Sequence, residues 1–287
     1  MNPAPFSLES ESTPPRESLA SATCYTSLIE VFKSGGGTQS TAIAALIIQG
    51  RLPKPDFVVI ADTGMERETT WQYMDQVTAP ALKKIGIEVH RPTREKYAYK
   101  HDDLWNGKGT ILIPAFTDRT VGQIGKLDGY CSKWWKVEVA QNYLRREFGI
   151  KPAQCKNWIG FSIDETKRVF GMMVSDDYKA GRIRLPLVDD VPMKRQHSKD
   201  YVTQIMGWPD PPRSACWMCP NMPDAEWKSL TPEEHEKACQ KDEAMRERDP
   251  NAFLHYSCRP LREVDFDANR DLPGLDDYAC SSGVCFV

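Results

Sequence analysis

Long apolar runs are missing from this chain of 287 residues. Its longest run, residues 42–48, is far shorter than the roughly 18 apolar residues that suggest a membrane-spanning helix. A strong net charge is missing as well, because 37 basic residues stand against 40 acidic ones, which excludes a broadly cationic nucleic-acid coat. The N-terminus lacks a basic start followed by an apolar stretch, so we expect no signal peptide, no membrane partner and a cytoplasmic location.

Metal-binding histidine patterns are absent too, since His90, His101 and His197 show no such spacing. Cysteine, in contrast, is abundant, with nine residues. In a cytoplasmic protein, clustered thiols indicate metal or redox chemistry more often than disulfides, and an odd number of them cannot pair completely. The cysteines are therefore candidates for metal ligands or reactive thiols.

The order of apolar and polar residues divides the chain into three parts. Residues 1–26 are rich in Pro, Ser and Glu, and they predict a disordered lead. Residues 27–207 predict strands at 28–32, 57–60, 87–90, 110–113 and 158–161, and helices around 43–47 and at 69–85, 133–148 and 193–206. Residues 208–287 form an irregular, cysteine-bearing region with one predicted helix at 232–247. Strands and helices that alternate in this way predict an α/β fold with an open, mostly parallel sheet and helices on both faces.

A glycine-rich segment, Ser34-Gly-Gly-Gly-Thr-Gln-Ser40, lies between the first predicted strand and the first predicted helix. Backbone N–H groups in such a turn bind anions, helped by the positive end of the helix dipole. The segment lacks the third glycine of G-x-G-x-x-G and the Gly-Lys-Ser/Thr of a Walker loop, which excludes both of those motifs. It predicts a phosphate cradle, and a tight turn that requires small residues is the alternative.

The same segment resembles the PP-loop of the ATP pyrophosphatase and phosphoadenylylsulfate reductase superfamily, whose usual form is Ser-Gly-Gly-x-Asp-Ser. Further segments resemble that superfamily in the same order, and they are Asp62-Thr-Gly-x-Glu66, Tyr130-Cys-Ser-x-x-Lys-Val-Glu138, Gly160-Phe-Ser-Ile-Asp-Glu-x-x-Arg168, and Pro186-Leu187 followed by Asp189. The resemblance extends over residues 28–220.

The resemblance implies an adenine nucleotide alpha hydrolase-like fold and an enzyme that uses ATP and Mg²⁺. It implies nucleotide-binding residues at Ser34, Gly35, Gly36, Gly37, Thr38, Gln39, Ser40, Asp62, Thr63 and Gly64. It implies catalytic residues at Asp62, Lys136, Asp164 and Arg168. The acidic residue of the loop is replaced, by Thr38 in one alignment of the loop and by Gln39 in the other.

A C-x-x-C motif, Cys216-Trp-Met-Cys219, lies in a proline-rich, irregular region, where metal ligation fits better than a redox pair. Members of the superfamily that carry a cluster combine this motif with an upstream cysteine, which the resemblance places at Cys131. Ser132 replaces a second upstream cysteine, so we predict Cys258 as the fourth ligand, with a buried apolar thiol as the alternative. Thiolate donors and the resemblance favour a [4Fe-4S] cluster over structural zinc.

The C-terminal tail carries Cys280 and Cys285, which we predict as catalytic thiols that carry sulfur as a persulfide or resolve a disulfide. A closing disulfide or two inert thiols are the alternatives.

One span is rich in basic residues, with Trp134 and Trp135 among them, and this mixture suits a phosphate-rich partner whose bases can stack. A solvated helix face with core tryptophans is the alternative. The basic residues are Lys133, Lys136, Arg145, Arg146, Lys151 and Lys156.

The leading hypothesis is an ATP pyrophosphatase that adenylates an oxygen of a DNA or tRNA substrate, so that sulfur can displace AMP. The departures from the usual motifs resemble the DNA phosphorothioation and tRNA-thiolating branches, with a cysteine desulfurase or another sulfur donor as a partner. Two alternatives stay open: a sulfonucleotide reductase that releases sulfite, and a nucleotide-binding regulatory protein without catalysis.

Overall fold

The computed structural model describes residues 27–99, 112–120 and 123–267. The predicted lead at 1–26 and the predicted catalytic thiols Cys280 and Cys285 lie outside the described residues. Within the described part, no helix is both long and apolar enough to span a membrane.

The described strands are β1 (Ile29–Lys33), β2 (Phe57–Val59), β3 (Val89–His90), β4 (Ala115–Thr120), β5 (Gln123–Leu127), β6 (Cys155–Trp158) and β7 (Ile183–Arg184). Five of them form one parallel sheet in the order β3-β2-β1-β6-β7, in which Phe32 lies between Val58 and Trp158. Strands β4 and β5 form a separate antiparallel hairpin. The order of the parallel strands reverses between β1 and β6, which is where open α/β sheets bind ligands.

The helices are α1 (Thr38–Ile48), α2 (Glu68–Tyr73), α3 (Ala79–Lys84), α4 (Arg94–Tyr97), α5 (Glu138–Phe148), α6 (Thr166–Met173), α7 (Asp176–Lys179), α8 (Arg195–Asp200), α9 (Asp224–Lys228) and α10 (Pro232–Arg248). A π-helical segment, Met74–Thr78, joins α2 to α3, and another, Ser132–Val137, leads into α5. Two more π-helical segments are Pro186–Asp190 and Tyr201–Ile205, and the 3₁₀ turns are Pro152–Gln154 and Leu261–Glu263.

Successive side chains along each strand point to opposite faces of the parallel sheet, and helices cover the apolar side chains on both faces. On one face, Phe32 and Val58 pack against α1 and α3. On the other face, Val31 and Val59 pack against α5. The predicted α/β class, with an open parallel sheet between two helical layers, is confirmed.

Several predicted elements match the structure closely. The helix predicted at 69–85 is the continuous segment from α2 to α3, and the one at 133–148 ends where Gly149 adopts a φ of 71°. The strand predicted at 158–161 lies earlier in the chain, at Cys155–Trp158. After one more backbone bond, from Ile159 N–H to the carbonyl of Arg184 (3.0 Å), the chain leaves the sheet.

The prediction at 110–113 differs from the structure. Residues 110 and 111 lie outside the described residues, and Leu112 and Ile113 are buried without forming a strand. The strand begins instead at Ala115, as the first arm of the β4–β5 hairpin. This hairpin is held by a backbone pairing of Phe116 with Phe253 (2.8 and 2.9 Å), a contact between distant parts of the chain that a local pattern does not reveal.

The C-terminal region has its own apolar core, in which Trp217, Trp227 and Leu254 pack with Trp135 from the π-helical segment that leads into α5. Helix α10 begins with a capping box, since Thr231 accepts from Glu234 N–H (3.1 Å) and Glu234 accepts from Thr231 N–H (3.1 Å). The region is therefore ordered and contacts the helix that follows Cys131. The division predicted at residue 207 stays a prediction.

Candidate functional site

The glycine loop connects β1 to α1 at the carboxyl edge of the sheet. Serine hydroxyls shape the loop from both ends: Ser40 Oγ accepts from Gly35 N–H (2.9 Å) and Ser34 Oγ accepts from Gly36 N–H (3.2 Å). Helix α1 begins immediately afterwards at Thr38, so its first amide groups lie at the positive end of the helix dipole. The predicted phosphate cradle therefore has the required backbone order of strand, glycine turn and helix N-terminus.

Two of the glycines are required by close packing. Gly36 has a φ of +75°, and a Cβ there would lie 2.7 Å from Thr70 Cγ2. A Cβ on Gly37 would lie 2.8 Å from Ser214 N and Cβ, two residues before the C-x-x-C motif. The loop is therefore packed between α2 and the segment that leads to Cys216.

A small recess lies beside the loop, on the sheet face that α5 covers. Ser34 and Gly35 line one side of it, Ile60 and Ala61 line it from the end of β2, and Lys33 and Ala140 are also in its wall. Val59 and two further charged residues, Glu66 and Lys136, complete the lining. The recess is the candidate nucleotide site, because a loop rich in backbone N–H groups and a lysine side chain both contribute to it.

Glu66 and Lys136 form a buried ion pair with 3.0 Å between Lys136 Nζ and Glu66 Oε1. The same Oε1 accepts from Thr63 Oγ1 (3.2 Å) and lies 3.8 Å from Cys216 Sγ. Burial by itself lowers the pKa of Lys136, but the Glu66 carboxylate and Cys216 outweigh burial and hold that pKa above its ordinary value. Lys136 therefore stays cationic, and one carboxylate joins the recess to the C-x-x-C motif.

Three of the predicted ligand thiols lie near one another. Burial raises the pKa of Cys131 to about 11, and the nearby Cys219 raises it further. Burial also raises the pKa of Cys219, and it raises that of Cys216 well above its ordinary value, with Glu66 as the next contribution. The turn of the C-x-x-C motif is closed by a bond from Cys219 N–H to the carbonyl of Cys216 (3.0 Å).

The predicted fourth ligand, Cys258, has different neighbours. Burial and Asp118 raise its pKa to about 11, and its N–H donates to the carbonyl of His255 (3.1 Å). Its backbone is left-handed, with a φ of 51°. Neither of these contacts involves the other three predicted ligands, so the structure brings together Cys131, Cys216 and Cys219 but does not bring Cys258 to them.

The donor chemistry of the three thiols fits soft metals. Across the described ranges, no three His, Cys, Asp or Glu side chains stand close enough together to hold a single metal ion. In a [4Fe-4S] cluster each thiolate binds a different iron, so the thiolates stand farther apart than the four donors around one zinc ion. Soft thiolate donors on a C-x-x-C motif and on a second segment are the donor type that iron–sulfur clusters use.

Gln39 stands at the position where the superfamily has an acidic residue in one alignment of the loop. Its Nε2 donates to Glu165 Oε2 (3.2 Å) and to Ser162 Oγ (3.4 Å). Glu165 also forms an ion pair with Arg168, whose guanidinium lies 4.3 Å from the centroid of the Phe161 ring. The structure thus places the predicted catalytic residue Arg168 in a polar cluster that reaches the first turn of α1.

Asp62 and Asp164 have structural partners. Asp62 accepts from Gly64 N–H (2.9 Å) and from Arg91 Nε (3.1 Å). Asp164 accepts from Arg195 N–H at the start of α8 (3.2 Å). The pKa of Asp164 is lowered, because its hydrogen bonds from Ser162 and Arg195 outweigh the opposing effect of burial.

The basic span also divides into different environments. Trp135 is a core residue with 1% exposure, so it is not available to stack on a base. The guanidinium groups of Arg145 and Arg146 lie 5.8 and 5.6 Å from the ring centroid of Tyr99, which is 57% exposed. Lys156 pairs with Glu30 (3.4 Å). An exposed aromatic ring flanked by two arginines is the part of this span that is suited to nucleic acid.

Sequence reasoning missed two residues of this site. Glu66 was part of a quoted motif but had no assigned role, although an acidic residue four positions after Asp62 and a lysine next to the cysteine segment were both visible. Tyr99 was missed because its two arginines come from α5, on a different element. Among the described residues, the ion pair of Glu66 with Lys136 and the contact of Tyr99 with its two arginines define the site more clearly than any single motif.

Comparisons with known proteins give little further information. No protein-family model and no curated protein matches the chain. Among solved structures, the chain is similar to U34-tRNA thiolase NcsA from Methanococcus maripaludis, determined with its [4Fe-4S] cluster. The match has 13% identity and a TM-score of 0.39, and it covers 91% of this chain and 81% of that one. At this level, the likeness supports no inference about the chemistry of this chain.

Proposed function

We propose that this chain is a PP-loop enzyme that uses ATP to activate an oxygen atom of a nucleic-acid substrate and then directs sulfur to the activated position. The observation that carries the proposal is the buried contact between the nucleotide recess and the thiols. Glu66 lines the recess, pairs with Lys136 and lies 3.8 Å from Cys216 Sγ. A phosphate-binding loop that shares one carboxylate with a C-x-x-C motif suits a reaction in which nucleotide and sulfur meet.

The loop would hold the triphosphate through the backbone N–H groups at the start of α1, and Mg²⁺ would accompany the nucleotide. The Lys136 ammonium, which stays charged, would balance negative charge that develops during the reaction. In the first step, a substrate oxygen attacks the α-phosphorus, an oxygen–phosphorus bond forms, and pyrophosphate leaves. In the second step, a hydrosulfide ion attacks the activated carbon or phosphorus, a sulfur bond forms there, and AMP leaves with the original oxygen.

Cys131, Cys216 and Cys219, which influence one another electrostatically, would hold an iron–sulfur cluster through their soft thiolate donors. Such a cluster would supply iron to which inorganic sulfide can bind close to the nucleotide. The protein's own contribution is to place these thiols beside the recess through backbone contacts. Among these is the bond from Trp217 N–H to the carbonyl of Met65 (3.0 Å).

A nucleic-acid substrate is supported by the exposed ring of Tyr99 with Arg145 and Arg146 beside it. Arginine side chains contact phosphates, and aromatic rings stack on unpaired bases. Single-stranded DNA and tRNA both offer phosphates and unpaired bases, so both belong in the experiment.

The test is the fate of α-labelled ATP, incubated with the anaerobically purified protein and either bulk tRNA or single-stranded DNA. The proposal predicts AMP and pyrophosphate in equal amounts, only when one of the nucleic acids is present, and loss of both products in Gly36→Asp. The added Cβ of Gly36→Asp would lie 2.7 Å from Thr70 Cγ2, so the loop would have to leave its present shape. Gly50→Asp has the same left-handed backbone but its added Cβ meets nothing within 4 Å, so it is the matched control. Sulfite released from a phosphosulfate nucleotide would favour a reductase instead, and tight ATP binding without turnover would favour a regulatory protein.

A further inference from the structure

We propose that Glu66 is the fourth ligand of the cluster, through its Oε2 atom, in place of the predicted Cys258. This assignment rests on the cluster of the proposed function, and it concerns a residue to which neither the sequence motifs nor the C-x-x-C spacing give that role.

The first observation is an unsatisfied carboxylate oxygen. The side chain of Glu66 is 3% exposed. Its Oε1 has Lys136 and Thr63 as partners, but its Oε2 is buried with no hydrogen-bond partner. A buried polar atom without a partner is rare in folded proteins and is costly, so such an atom calls for a ligand.

The second observation is the position of that carboxylate. The backbones of Glu66 and Cys216 pair as an isolated antiparallel bridge, and Met65 accepts from Trp217 N–H next to it. These backbone contacts, together with the 3.8 Å separation of Cys216 Sγ from Glu66 Oε1, fix the carboxylate beside the C-x-x-C motif. In contrast, Cys258 interacts with Asp118 and His255.

The third observation is charge. Three thiolates and one carboxylate form a strongly anionic donor set in a buried place. The ammonium of Lys136 pairs with Glu66 Oε1 (3.0 Å) and interacts with Cys216 and Cys131, so it compensates part of the negative charge of these donors. A carboxylate is a harder donor than a thiolate, so the iron that it binds is held less firmly than the other three, and sulfide would bind that iron by displacing the carboxylate.

One iron of such a cluster would differ from the other three in having a carboxylate ligand, and controlled oxidation tests whether that iron is present. Ferricyanide takes one electron from such a cluster, and the weakly held iron leaves as Fe²⁺, which yields the three-iron form. Iron and acid-labile sulfide are measured in anaerobically purified protein, and low-temperature EPR is recorded before and after one equivalent of ferricyanide.

The wild type should begin with about four irons per cluster and lose one on oxidation. Glu66→Cys should keep all four, because a fourth thiolate replaces the carboxylate. Glu66→Ala should purify with the three-iron form already present. Cys258→Ser should match the wild type before and after oxidation, and this variant is the control for simple loss of a thiol.

Loss of iron in Cys258→Ser, or identical iron content and EPR spectra in the wild type, Glu66→Ala and Glu66→Cys, would overturn the assignment. Because Glu66→Ala leaves Lys136 buried without its carboxylate, the pair Glu66→Gln with Lys136→Met provides a second variant without buried charge. A four-iron cluster in that double variant that resists ferricyanide would also count against Glu66. A colourless wild type without iron would remove the cluster and this ligand together, whereas a brown wild type with unaffected Glu66 variants would remove only this ligand.

Discussion

Replacing Gly36 with alanine should destabilise the protein far more than the same change at Gly50. Both glycines have left-handed backbones, with φ of +75° and +71°, so each alanine carries a conformational cost of about 1–2 kcal/mol. At Gly50 the added Cβ meets nothing within 4 Å, but at Gly36 it lies 2.7 Å from Thr70 Cγ2 and 3.1 Å from Ile60 Cδ1. Thr70 is fully buried, so this overlap adds about 1–3 kcal/mol of overpacking.

The assay is urea unfolding of the wild type, Gly36→Ala and Gly50→Ala, read from the unfolding midpoints at a constant slope. The expected losses of unfolding free energy are about 2–5 kcal/mol for Gly36→Ala and about 1–2 kcal/mol for Gly50→Ala. Under conditions where both variants are folded, ATP affinity should fall only for Gly36→Ala, since the loop must move to accept the methyl group. Equal losses of stability at the two positions would refute the close packing of the loop, and unchanged ATP affinity in Gly36→Ala would remove the nucleotide from it.

Three other predictions concern a buried carboxylate in the C-terminal region, a buried lysine at the end of β1 and the two arginines beside Tyr99. Asp242 is fully buried and accepts from Leu254 N–H (2.9 Å), Leu261 N–H (3.0 Å) and Arg246 Nε (3.1 Å). Urea unfolding of Asp242→Ala should therefore show a loss of about 3–5 kcal/mol of unfolding free energy. Glu243→Ala, on the surface, should lose under about 1 kcal/mol. Burial lowers the pKa of Lys33 to about 8, so between about pH 8 and 10.5 the unfolded chain holds a proton that the folded chain has released. The unfolding free energy of the wild type relative to Lys33→Met should therefore rise across that pH range. A flat difference would contradict the burial of Lys33. Changing Arg145 and Arg146 to Glu should weaken nucleic-acid binding and flatten its salt dependence, while Lys237→Glu on α10 should leave the slope unchanged; a full slope in the arginine variant would show that these side chains form only a solvated face.

The sequence predicted β1, β2 and β3 of the parallel sheet, because these strands are short apolar runs, whereas it placed β6 too late in the chain and did not predict β7. Local composition decides Phe57–Val59 and the helix that ends at Gly149. The β4–β5 hairpin was not predicted. Its Thr117 and Asp118 interrupt the apolar alternation, and the pairing of Phe116 with Phe253 depends on a segment more than a hundred residues away.

The candidate site followed the same division. The glycine loop and the C-x-x-C motif are local patterns, and both were visible. The contact between them was not, because Glu66, Lys136 and Cys216 come from three separated segments and meet only after the sheet and the C-terminal core have formed. Cys258 was predicted because Ser132 replaces an upstream cysteine and Cys258 lies downstream of the C-x-x-C motif, but order along the chain does not determine which donor the fold brings next to Cys216.

If nucleotide and sulfur occupy one continuous site, bound nucleotide should protect Cys216 from alkylation. Metal-free protein is treated with iodoacetamide, with and without ATP and Mg²⁺, and each cysteine is followed by peptide mass spectrometry. Bound ATP should slow modification of Cys216, which lies against the recess carboxylate, and leave the rate at Cys258 unchanged. Saturating ATP with no effect on Cys216, or an equal effect on both cysteines, would contradict a single continuous site.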